Sequence, residues 1–244
     1  METKDYITLT ISTLAFIVSV ISSVIAISRQ KGQIRTTIRE QFSRIVQELI
    51  TTLADNSVLQ SEPLNERDGL FYSKSSSFSH KLSSLARQAS ALIVLEPMIA
   101  FDVELSAVAQ ALNIVGDMPQ ADNFFQQAIK ASPSDFYKII NLRMYAEFLF
   151  QQGKHQQGRK IFEDALGIFD NNSDFNKAAN GYTYQVWFIS EVWNIPSPHG
   201  QAEECYKNAR GLMESISSST YRMNLLQSLE TARKASLSDA TETV

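Results

Sequence analysis

The chain repeats itself, and this constrains its fold more than any other feature. Gly116-Asp-Met-Pro-Gln-Ala121 is followed by Phe125, Ala128 and Pro133, and Gly153-Lys-His-Gln-Gln-Gly158 is followed by Phe162 and Ala165. A third copy has Ala202, Tyr206 and Ala209 after Ile195-Pro-Ser-Pro-His-Gly200. An apolar series at three- and four-residue steps precedes each glycine: Leu105, Val108, Ala109 and Leu112, then Leu142, Tyr145, Ala146 and Leu149, then Val186, Ile189, Ser190 and Trp193. The spacing is 37 residues from Ala121 to Gly158 and 44 from Gly158 to Ala202. A repeat of this length is one supersecondary unit that cannot bury its apolar face alone, so the units must stack.

Each unit reads as helix, glycine turn, helix. Small residues let the two helices approach closely, the aromatic fills the space between them, and the glycine ends the first helix. On these residues the chain resembles the tetratricopeptide repeat family, although its spacings exceed the family period of about 34 residues. The resemblance covers roughly residues 100–215, with a degenerate copy reaching back toward Leu82. It implies an all-α, superhelical repeat domain over residues 81–235, with Ser217–Ala235 as the capping helix (Tyr221, Leu225, Leu226 and Leu229 on one stripe); the polar residues 236–244 read as a disordered tail. It also implies that the first helices line a groove for an extended peptide or a partner's helix. The groove-lining offsets fall on Ser106, Gln110 and Asn113, on Arg143, Glu147 and Phe150, and on Tyr184, Trp187, Glu191 and Asn194. The Lys and Asn pattern by which some family members clamp a terminal carboxylate is absent from these positions.

Ahead of the repeats, no ionisable residue interrupts Ile7 to Ile27, which as a helix would cover about 30 Å. The length criterion predicts a single transmembrane helix over residues 6–28 after a short leader, residues 1–5. Arg29, Lys31, Arg35 and Arg39 follow it and Lys4 alone precedes it, which places the rest of the chain in the cytoplasm as a single-pass membrane protein. Ala15, Ser19, Ser22 and Ala26 recur on one face, where small residues suit a transmembrane association seam. Cleavage after a signal peptide is the competing reading, but the acidic leader and the long apolar stretch disfavour it. Next, Ile34, Ile38, Phe42, Ile45, Val46, Leu49, Ile50 and Leu53 mark an amphipathic helix within residues 29–60. Its stripe can pack on the domain, on a second copy or on the membrane surface. Residues 61–80, with turn residues and a serine-dense stretch from Ser73 to Ser79, read as a loop or linker.

Chemistry is not indicated. There is no phosphate loop, no GxSxG, no HExxH and no Cys/His set at metal spacing, so neither enzyme activity nor a cofactor is expected. His80, His155 and His199 lie far apart in sequence, and Cys205 is the only cysteine. A net charge of −4 offers no field for a phosphate backbone, which excludes nucleic acid as an expected ligand.

The resulting expectation is a membrane-anchored scaffold or adaptor. It would bind a protein partner in the groove and the lipid bilayer through residues 6–28. The alternative is a self-associating membrane organiser, a homodimer or oligomer built through the transmembrane and juxtamembrane helices.

Overall fold

The structure, a computed structural model, describes the backbone of residues 3–60, 62, 67–194 and 200–242 and the side chains of residues 28–60, 62, 67–194 and 200–235. Among the described residues there are nine helices and no strand: α1 Thr3–Gln60, α2 Gly69–Leu95, α3 Asp102–Ile114, α4 Met118–Ala131, α5 Asp135–Gln151, α6 His155–Leu166, α7 Asp174–Asn194, α8 Gln201–Glu214 and α9 Ser219–Glu242.

The helices form a repeat-like stack of antiparallel hairpins. The second half of α1 pairs with α2, α3 with α4, α5 with α6, and α7 with α8, while α9 closes the end. Successive first helices (α1, α3, α5, α7, then α9) touch one another, whereas α2, α4, α6 and α8 do not. The odd-numbered helices therefore form a continuous inner layer, and the even-numbered ones wedge between them from outside.

The reason lies in the repeated side chains. Ala121, Ala202 and their counterpart Leu82 are buried, as are Ala128, Ala165, Ala209 and Ala89, and between them sit Phe125, Phe162, Tyr206 and Ala86, each at most 3% exposed. Gly158 takes the first small position in α6 because a Cβ there would lie 2.5 Å from the Phe150 ring. The turns are also copies. Gly116 and Gly153 adopt φ +87° and +70°, and the next amide reaches back to close each helix, Asp117 to Leu112 at 2.8 Å and Lys154 to Leu149 at 2.9 Å. Glycine tolerates this left-handed conformation without the Cβ clash that other residues meet. Gly200, at φ +114°, is instead the residue immediately before α8, three positions nearer its helix's small residue than the other two glycines.

The structure adds a fourth unit at the front. Phe42, Val46 and Leu49 are buried at the spacing of Leu105, Ala109 and Leu112, and Ile38, Ile45 and Leu53 pack beside them. The stripe of α1 is thus spent on the domain core, although Ile34 and Ile50 remain exposed. Arg39 anchors this packing with a bidentate pair to Glu104 at 2.6 and 2.8 Å and a bond to the Ile99 carbonyl, its guanidinium lying 4.6 Å over Phe101.

Several expectations are corrected. Among the described residues no helix is long and apolar enough to cross a membrane, which overturns the single-pass anchor and the cytoplasm-facing placement that followed from it. From Ser28 onward α1 carries Arg29, Lys31, Arg35, Arg39, Glu40, Arg44 and Glu48, the charge density of a surface helix with one buried stripe. The side chains of residues 6–27, with the seam Ala15, Ser19, Ser22 and Ala26, lie outside the described residues. Residues 69–80 belong to α2 rather than to a linker. Asp68 starts that helix by accepting bonds from the Leu70 and Phe71 amides at 2.9 and 3.0 Å, buried Phe71 pins it, and most of the serines lie on its outer face. Helix α1 passes Asp55-Asn56-Ser57 because Leu59 is buried beyond them. Helix α9 continues past Ala235 to Glu242, where a disordered tail was expected, and Thr243 and Val244 lie outside the described residues. Leu229 of α9 is fully buried, but Tyr221 is exposed, as is Trp193 at the end of α7.

Adding one methyl group tests the packing. Gly158→Ala should cost about 1–3 kcal/mol through overpacking against Phe150. Gly211→Ala, where nothing lies within 4 Å of the new Cβ, should gain about 0.5–1 kcal/mol from lower chain entropy. Urea-denaturation midpoints report both.

Candidate functional site

The inner layer carries the ten positions at which a groove was expected, and their neighbours decide their fates. Seven serve the fold. Ser106 is buried and donates to Asn141 Oδ1 at 2.6 Å, while Asn141 Nδ2 donates to Asp102 at 3.0 Å and to Ser132 at 2.8 Å, tying α3 to α5. Phe150 is buried between the Phe162 and His155 rings. Trp187 stacks on Phe162 at 5.5 Å, and half-buried Tyr184 stacks on Trp187 at 6.2 Å. Asn194 bonds to the Ser190 carbonyl of its own helix.

Glu191 is fully buried, and such a carboxylate is tolerated only when its oxygens are satisfied. Here they are. Arg159 of α6 donates to both oxygens at 2.7 and 2.8 Å, and the Trp187 indole N–H donates at 2.9 Å. The same hydrogen bond holds the Arg159 guanidinium above its ordinary pKa. Arg143 is buried on α5 with its guanidinium 4.7 Å over the ring of Tyr182 on α7, and desolvation pulls its pKa down.

The remaining three, Gln110, Asn113 and Glu147, come together. They line a cleft of about 340 Å³ bounded by α1, α3, α4 and α5. Asn56 and Ser57 of α1 and Gln151 of α5 complete its polar wall, while Leu53, Ile114, Met144, Phe125 and Phe148 supply apolar surface. Asn113 donates to Gln151 Oε1 at 2.7 Å, which fixes both amides, whereas Asn56 and Gln110 spend no side-chain hydrogen bond on the described protein. Glu147 is the single ionisable residue in this lining. It is half-buried, and desolvation raises its pKa from 4.5 to about 7 against the opposing pull of Arg143 one turn away. The arrangement offers one poorly solvated carboxyl, uncommitted amides and a hydrocarbon wall.

The cleft's α1 wall was not read from the sequence. Its signal was present in Phe42, Val46 and Leu49, which share the spacing of Leu105, Ala109 and Leu112, but the glycine turn that marks the other units is missing between α1 and α2. Of the histidines, His80 is exposed, His155 is half-buried against Phe150, and His199 lies outside the described residues. Cys205 is buried, and burial pushes its thiol up to about 12, so it stays protonated and inert.

Against protein-family models, curated proteins and solved structures the chain finds no match.

Two substitutions separate the paired carboxylate from the unpaired one. Arg159→Met leaves Glu191 buried without its cation and should destabilise the protein by about 3 kcal/mol. Glu147 behaves oppositely. A carboxyl whose folded pKa lies above its unfolded value loses stability as pH rises from about 4.5 through 7. Glu147→Gln should therefore raise stability by about 1–2 kcal/mol at pH 8, after discounting for its partial solvation, and leave it unchanged near pH 4. Thermal melts at the two pH values check the sign.

Proposed function

We propose that the chain is a protein-interaction module of the tetratricopeptide-like type, a scaffold that holds a peptide or helix of a partner protein on its inner helical layer. The observation that carries this reading is the cleft between α1, α3 and α5, where polar groups with few partners within the chain stand beside apolar wall. Solvent-facing amides next to hydrocarbon are what a bound backbone and its side chains can use together. Two neighbouring features support it. Tyr182 is exposed on the inner layer over Arg143, and Phe136 and Phe175, 5.5 Å apart, extend an exposed aromatic surface from α5 to α7. Exposed aromatic side chains of this kind supply much of the binding energy in protein interfaces.

The test uses a photo-crosslinking amino acid placed at Gln110, inside the cleft, or at Asn123, exposed on α4. The expected result is an adduct from position 110 alone, mapped to one segment of a partner, with a synthetic copy of that segment abolishing the adduct. Equal adducts from both positions, or no competition by the segment, would count against the inner layer as the binding surface.

A further inference from the structure

The inner layer repeats, so each of its positions can be compared with its counterpart one unit along. Glu147 of α5 and Glu191 of α7 are such counterparts, separated by the 44-residue offset that relates the two units. Their surroundings differ in one respect. Arg159, the residue after Gly158 in α6, reaches Glu191 with two bonds. The residue at the same place in α4, after Ala121, is Asp122, and it turns away to accept a hydrogen bond from the Tyr145 hydroxyl at 2.8 Å. The fold thus supplies a cation to one carboxylate and an acid to the place from which the other would be reached.

Nothing else in the described protein pairs with Glu147. It takes part in no hydrogen bond or ion pair there, and α1, α3 and α4 contribute no ionisable side chain to the cleft. On its own helix, Arg143 is the charge it feels, and that guanidinium is spent over Tyr182. A carboxylate that is partly desolvated and unpaired gains most from a cation delivered from outside. The wall beside it is hydrocarbon from Ile114, Met144 and Leu53, which matches the aliphatic stem of a basic side chain.

We infer that the cleft takes a Lys or Arg side chain of the partner, its cationic head on the Glu147 carboxylate and its stem along Met144 and Ile114, with Gln110 and Asn56 free to bond the adjoining peptide groups. This rests on the reading of the inner layer as the partner-binding surface and adds the chemistry of what is read there. The raised pKa of Glu147 agrees with it, since binding a cation restores the ionised form.

The experiment follows the Met144 methyl signal of the full chain, labelled with ¹³C-methyl methionine, during titration with blocked tripeptides Ac-Gly-X-Gly-NH₂ in which X is Lys, Arg or norleucine. At pH 8 the Lys or Arg peptide should bind at least about tenfold more tightly than the uncharged norleucine peptide, the discrimination expected of one charge-assisted contact. Glu147→Gln should remove that preference while leaving norleucine binding unchanged. Lowering the pH from 8 to 6 should weaken the basic peptides about tenfold, because protonation of a group titrating near 7 competes with the cation. Norleucine binding as tightly as both basic peptides, or a preference that survives Glu147→Gln, would overturn the inference. So would a crosslinked segment from position 110 that lacks a basic residue, and that result would leave the module reading standing. Crosslinks arising equally from position 123 would instead remove the module reading, whatever the tripeptides do.

Discussion

Close approach of two helices at a small residue is the constraint on which the rest of the structure depends. Ala121, Gly158 and Ala202 bring α4, α6 and α8 against their partners, and Ala128, Ala165 and Ala209 keep them there two turns later. The aromatic between them then has only one place to go, into the gap between units, where Phe125, Phe162 and Tyr206 are all but fully buried. Because the even-numbered helices are drawn in so tightly, the odd-numbered ones can touch along a continuous layer. The cleft, the Arg143–Tyr182 contact and the exposed aromatics all sit on that layer as consequences of packing between the units' own helices.

Apolar packing alone would let one unit slide on the next, since burial is not directional. Each junction carries a polar device that fixes the register. Arg39 and Glu104 pair between the first two units, Ser106, Asn141 and Asp102 bond between the next two, and Arg159 and Glu191 lock α6 to α7. At the end, the Asp174 carboxylate accepts the Ser217 and Ser218 amides while Glu230 and Arg233 of α9 meet Tyr206 and Glu203. A buried polar group is costly when its partner is displaced by even one residue, so the buried contacts of Ser106, Asn141, Asp102 and Glu191 hold the middle of the stack to a single alignment.

Much of this architecture was written plainly in the sequence, and the reasons are physical. A glycine that must adopt positive φ and a small residue that must admit a neighbouring backbone have few substitutes, so Gly116, Gly153, Ala121 and Ala165 advertise the hairpins. Side-chain fates were harder to read. Glu191, Trp187 and Ser106 occupy offsets that face the inner layer, yet a cation, a ring or an amide from the adjoining helix draws each into the core. No single helix reveals that, because the deciding partner is 32 residues away for Glu191 and 35 for Ser106. The first unit escaped for a different reason: its helices are joined without the glycine turn, and the serines of α2 imitate a linker while lying mostly on a solvated helical face. The uncharged length of Ile7–Ile27 and its basic flank point to a bilayer span, whereas among the described residues no helix is long and apolar enough to cross a membrane, and from Ser28 onward α1 is a core helix with one buried stripe and several charged residues on its other faces.

The inner layer is therefore best understood position by position. Gln47, Gln110, Glu147 and Glu191 occupy one structural place in four successive units, and the same backbone site ends in four different environments. Gln47 is exposed, Gln110 borders the cleft, and Glu191 is sealed by Arg159 and Trp187. Glu147 alone combines a desolvated carboxyl with access from outside, because α4 supplies Asp122 where α6 supplies Arg159. The structural carboxylates of this stack find their partners within the chain, a guanidinium for Glu191 and for Glu104 and an amide for Asp102. Glu147 has no such partner, and a carboxyl left so is stabilised by protonation or by a donor from elsewhere, which is why we propose α5 as the place where a partner is recognised.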